Sequence, residues 1–151
     1  MRRDREAPDT VLAYWLQNGL MSQETWDLLQ GVLRAVLAVA FVGMGVLHFL
    51  PGARRTMAAI IPPRLRRTGL LSPVNLVIFT GLCEIFGGLG LLLPGTRVAA
   101  GVALAVFLVA VFPANAYAAR NPKRFGRLAI PFWPRLIAQA VMIALVLLSV
   151  L

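Results

Sequence analysis

The chain holds 151 residues, of which 59% are hydrophobic and 14% charged, and it carries a formal net charge of +9. A soluble domain is nearer half apolar and about a quarter charged, so the composition excludes an ordinary water-soluble globule. The single cysteine, Cys83, excludes an internal disulfide and paired-cysteine redox chemistry within the chain.

Residues 1–27 hold five of the six acids and form an N-terminal extramembrane or interfacial segment. Within it "PDTVLAYWL" opens on the cap-type residues Asp9 and Thr10 and continues apolar and aromatic, the pattern of a short helix lying at the headgroups. Ser22 is placed to cap the helix that follows, with Glu24 and Asp27 near its positive end. Four apolar stretches come next, at about 28–50, 72–93, 97–119 and 130–151. Each is close to the roughly 20 residues a helix needs to cross a bilayer. None alternates as a barrel strand does, and backbone in lipid must satisfy its own hydrogen bonds. The expected fold is all-α: a transmembrane four-helix bundle over residues 28–151, with a short N-terminal interfacial helix.

The connections support this order. In the first loop, 51–71, Pro62 and Pro63 block a continuous helix, while "ARRTMAAI" suits one or two amphipathic turns on the membrane surface. The second is only "PGT", 94–96, so the helices it joins are antiparallel neighbours, and Thr96 is placed to cap the third span. The third, "RNPKRFGR", is basic. Trp133 marks the next interface, and Pro134 falls in the first turn of the fourth helix, where a missing N–H is harmless.

Charge sets the topology. Ten cations (Arg54, Arg55, Arg64, Arg66, Arg67, Arg120, Lys123, Arg124, Arg127 and Arg135) lie in or beside loops one and three, against Arg2, Arg3, Arg5 and Arg97 on the other side. Basic loops stay in the cytoplasm, so loops one and three are expected to be cytoplasmic and both termini external. This placement accounts for the positive charge without a nucleic-acid partner, and it would attract anionic lipid headgroups. Fourteen arginines against one lysine fit a GC-rich bacterial genome, which makes the expected location the bacterial inner membrane.

Polar residues inside the spans are the candidates for function. Glu84 is the only charge between Thr68 and Thr96. A charge at the bilayer centre costs ~2.5–3.5 kcal/mol on insertion scales, so Glu84 is expected to face other helices. Thr80, Gly81 and Gly88 share its face, and the glycines let a neighbouring helix come close. Arg34 and His48 lie two heptads apart on the first helix, ~21 Å along its axis. Glu84 sits between those depths and can reach one of them, with Arg34 the first candidate for its counter-ion. In the third span Pro113 frees a carbonyl and Asn115 follows it. In the fourth, Arg135 and Gln139 are four apart and share a face. Glu84, His48, Asn115, Arg135, Gln139 and Arg34 are therefore the candidate ligand-binding residues, in a pocket opening toward the cytoplasm. The plainer reading is that such groups are interhelical glue worth ~0.6 kcal/mol each.

Arg34, "GMGVLHFLPG" (43–52), "IIPPRL" (60–65), "TGLCEIFGGLGLLLPGTRVAAG" (80–101), "AVFPANAYAA" (110–119) and "WPRLIAQ" (133–139), in that order, resemble the DoxX-like family of small four-helix membrane proteins. The resemblance spans about residues 31–140. It implies a membrane bundle tied to redox systems, some relatives belonging to quinone-linked oxidoreductases. From the residues alone, no metal-ligand cluster is evident, and His48, the one histidine, cannot supply both axial ligands of a membrane haem. No catalytic residue is assigned. The expected function is that of a non-catalytic subunit or accessory factor of a membrane redox system. It would bind a quinone-like or lipid-like molecule, or a redox partner protein, in the polar pocket. The alternatives are a small proton-coupled transporter, which would need homo-oligomerisation to make room for alternating access, and a membrane-protein assembly factor.

Overall fold

The computed structural model describes residues 22–126 and 129–151; the expected interfacial helix at the N-terminus lies outside them. Among the described residues the chain is helical, with no strand. α1 runs Gln23–Leu47, α2 Pro51–Ile60, α3 Pro73–Leu92, α4 Arg97–Ala119, α5 Pro122–Phe125 and α6 Phe132–Leu148, with 3-10 turns at Pro63–Leu65 and Gly69–Leu71. Three of these helices, α1, α3 and α4, are long and apolar enough to cross a membrane. α6 is apolar but has 17 residues, about 26 Å at 1.5 Å per residue.

Local chemistry explains the boundaries. Ser22 accepts a hydrogen bond from the Thr25 backbone N–H at 3.2 Å, so α1 starts five residues before the expected apolar edge. It ends at Leu47 because His48 to Leu50 turn and Pro51 opens α2, its fixed φ suiting a first helical position. Ser72 caps α3 through the Asn75 N–H, with Pro73 following.

Thr96 departs from expectation. It stands at the N-cap of α4 but makes no side-chain cap. Its hydroxyl donates to the Gly90 carbonyl at 3.0 Å instead. The three-residue link folds Thr96 back over the end of α3, where carbonyls have lost their helical partners.

α1 packs most extensively on α3, α3 on α4, and α4 on α6, which also touches α1; α2 lies across α3 and α4. The helices approach closely through glycines. A Cβ on Gly81 would stand 2.7 Å from His48 Cβ and 2.9 Å from the Gly45 carbonyl oxygen, and one on Gly45 would stand 2.7 Å from the Gly81 oxygen. α1 and α3 therefore touch backbone to backbone, as small residues permit. Toward one end, Leu37, Phe41, Leu91, Leu104, Val146 and Val150 form a closed apolar core. The outer faces stay apolar, with Val36, Val39, Phe86, Val106 and Ile137 exposed, a surface compatible with lipid.

Candidate functional site

At the other end the interior opens into a cavity of about 410 Å³, within the range of small-molecule sites. His48, Glu84 and Asn115 line it, from the end of α1, the middle of α3 and the stretch of α4 just after Pro113. The neighbour of Glu84 is His48, not the expected Arg34: its Nδ1 lies 3.2 Å from Glu84 Oε2.

His48 is held by the helix it ends. The last carbonyls of α1 have no intrahelical partner, and Nδ1 bonds the Met44 carbonyl at 2.8 Å. The close contact at Gly45 and Gly81 then carries the ring alongside α3. Glu84 falls on the buried face of that helix, with Val77, Gly81, Gly88 and Leu91. His48 and Glu84 are each 8% exposed. Glu84 Oε2 lies within ion-pair distance of Nδ1 but lacks hydrogen-bond geometry to it. The Nδ1 proton is aimed at the Met44 carbonyl, so the two side chains touch without sharing it.

Asn115 is held from behind. Arg135 Nη1 donates to its Oδ1 at 2.7 Å, and its Nδ2 donates a long 3.5 Å bond to Gln139 Oε1. Gln139 Nε2 in turn donates to the Leu108 carbonyl at 2.8 Å, next to the turn where Pro113 removes a backbone N–H. Arg135 and Gln139 do share a face of α6, as their spacing requires, but they do not line the cavity. They orient the residue that does.

Arg34 is not brought to this group. Its Nη1 donates to the Ser149 carbonyl at 2.7 Å, and Gln30 Nε2 donates to the Leu148 carbonyl at 3.0 Å. Both close the end of α6, where carbonyls lack partners. The guanidinium, from the middle of α1, serves the terminus of α6, and Glu84 is left to the imidazole.

The first loop lies against the pocket whose mouth is expected to face the cytoplasm. Met57 and Ile60 of α2, then Ile61, Pro62 and Leu65, line the cavity from the first loop. Arg66 fastens this cover, donating to the Ile61 and Ala59 carbonyls, each at 3.0 Å. Positions 57, 60 and 61 have the i, i+3, i+4 spacing of one apolar face. That signal was present in the sequence and identifies the cover. The wall also includes Thr80, whose hydroxyl donates to the Val77 carbonyl at 2.9 Å. Among the described residues no three His, Cys, Asp or Glu side chains gather as a metal site. The arrangement is an apolar-walled cavity with a few fixed polar groups, the general make-up of small-molecule sites.

A family model described as a domain of unknown function (DUF8561) matches residues 37–150. No curated protein and no solved structure matches the chain.

Proposed function

Since the chain belongs to the DUF8561 family, whose description carries no activity, we propose a function from the site itself. The protein is a multi-pass membrane protein that binds a quinone-like or lipid-like molecule in the cavity beneath α2. It serves as a non-catalytic subunit or accessory factor of a membrane redox system. α1, α3, α4 and α6 cross the bilayer as a four-helix bundle, with α2 and α5 on the cytoplasmic side of a bacterial inner membrane. α6 manages the crossing with the residues that flank it on either side.

The observation that carries this reading is the convergence of His48, Glu84 and Asn115, from three helices, on one mostly apolar cavity of about 410 Å³. Side chains serving only as glue would meet each other and leave no space between them. The exposed outer aliphatic residues support the bilayer placement, the basic loops support the orientation, and the likeness of residues 31–140 to DoxX-like proteins supports the redox setting.

Native mass spectrometry of protein extracted gently from its own membrane tests the proposal. A bound molecule in the size range of the cavity is expected, and its occupancy should fall in Glu84→Gln and His48→Ala. If nothing co-purifies and neither substitution alters lipid or partner binding, the proposal fails.

A further inference from the structure

The polar groups of the cavity are not a balanced set. The Met44 carbonyl can only accept, so its 2.8 Å contact assigns the ring proton of His48 to Nδ1. Nε2, the other ring nitrogen, has no hydrogen-bond partner among the described residues, and when it carries no proton it is a bare acceptor. Glu84 is in the same position. Oε2 is buried against Nδ1 without a hydrogen bond, and no described residue donates to Oε1. Thr80 spends its hydroxyl proton on the Val77 carbonyl and turns lone pairs outward. Asn115 is the exception: Arg135 occupies its Oδ1, while its amide nitrogen, loosely bonded at 3.5 Å, retains a proton to give.

Buried acceptors are normally met, and leaving one unmet is costly. Glu84 Oε2 is such an atom, and His48 and Glu84 are each only 8% exposed, so a donor for this pair has to come from the occupant of the cavity. The occupant's charge follows from the same wall. No described Lys or Arg lines the cavity, so an anionic head would meet Glu84 with no lysine or arginine from the described wall to offset it. A cationic head would have to pass a cover bearing Arg54, Arg55, Arg64, Arg66 and Arg67. The remaining wall is apolar.

We propose that the cavity selects a neutral, largely apolar molecule bearing a hydroxyl group. The hydroxyl donates to His48 Nε2 or Glu84, and Asn115 receives an acceptor on the same molecule. The proposal rests on the ligand-binding reading above and sharpens it: a phenol or hydroquinone is preferred to the carbonyl-only or ether form of the same skeleton, and both to a carboxylate.

Three probes of one shape separate the cases: 4-hexylphenol, 4-hexylanisole and 4-hexylbenzoate. Each is titrated into the purified full chain in neutral detergent, with bound ligand counted by native mass spectrometry and Tm followed in parallel. The phenol is expected to bind at least tenfold tighter than the anisole, with no measurable benzoate binding. In His48→Phe and in Glu84→Leu the phenol-to-anisole ratio should fall to threefold or less. Either variant suffices should the other not fold, and the wild-type comparison decides the selectivity without them. Equal binding of phenol and anisole, or tight benzoate binding, overturns the hydroxyl proposal and leaves the cavity as a ligand site. A phenol preference untouched in both variants overturns the assignment to His48 and Glu84. If none of the three binds or shifts Tm, this proposal and the ligand-binding reading fall together.

Discussion

Gly81→Ala tests the contact on which the site depends. One added methyl group would stand 2.7 Å from His48 Cβ and 2.9 Å from the Gly45 oxygen, where ordinary contact begins at 3.4 Å. The obstacles are a first side-chain carbon and a backbone carbonyl, neither of which can swing away. α1 must retreat from α3 by about 0.7 Å, the difference between 3.4 and 2.7 Å. Overpacking of this kind costs about 1–3 kcal/mol. At about 2–4 °C per kcal/mol for a chain of this size, Tm should fall by roughly 2–12 °C. Gly43→Ala is the control: Gly43 lies on the exposed side of α1, and a Cβ there meets nothing within 4 Å. Removing a helical glycine at an open position should raise stability by about 0.5–1 kcal/mol. The assay is thermal unfolding by circular dichroism, all three proteins in one detergent. A Gly81→Ala protein that melts at or above wild type would refute the backbone-to-backbone contact.

Two further outcomes follow from other parts of the molecule. Arg34→Ala removes the charged donor to Ser149, a class of hydrogen bond worth about 1.5–3 kcal/mol; amide exchange should quicken about tenfold or more in the last turn of α6 and stay unchanged in α4, and equal protection in both proteins would contradict the cap. For the orientation, Arg55→Cys and Gly95→Cys are labelled in inverted and right-side-out vesicles with a membrane-impermeant maleimide, using wild type to subtract the half-buried Cys83. Arg55→Cys should react only from the cytoplasmic face and Gly95→Cys only from the external one; the reverse pattern would invert the proposed topology.

Much of the helical content was legible in the sequence because it depends on local chemistry. Long apolar runs, the Ser22 cap, the Pro62–Pro63 break and the three-residue link after α3 all act over a few residues. The face of α3 was legible for the same reason: Gly81, Glu84 and Gly88 recur at helical spacing, and a carboxylate among aliphatic residues has to turn inward. What the sequence left open depends on which helix ends meet. Nothing near Arg34 announces that Ser149, 115 residues away, supplies the carbonyl it binds. Thr96 has the right residue type for a cap, but the short link turns its hydroxyl toward Gly90. Arg135 and Gln139 have the spacing of a shared face, and only the packing of α6 on α4 sets them behind Asn115 and away from the cavity. The cover formed by α2 was written in the spacing of Met57, Ile60 and Ile61, yet its position over the cavity required the tertiary fold.

The bond between Arg34 and Ser149 also has a bearing on biogenesis. The arginine leaves the ribosome early and the carbonyl it needs is made 115 residues later, about 6–23 s at ordinary elongation rates of 5–20 residues per second. Through that interval the cation has no built-in acceptor and must stay near the bilayer surface, reaching water or lipid phosphate. In the proposed membrane placement, α1 can be tied to the end of α6 only after α6 is made, so this contact forms late in assembly. A nascent chain arrested before Ser149 would carry Arg34 without this acceptor.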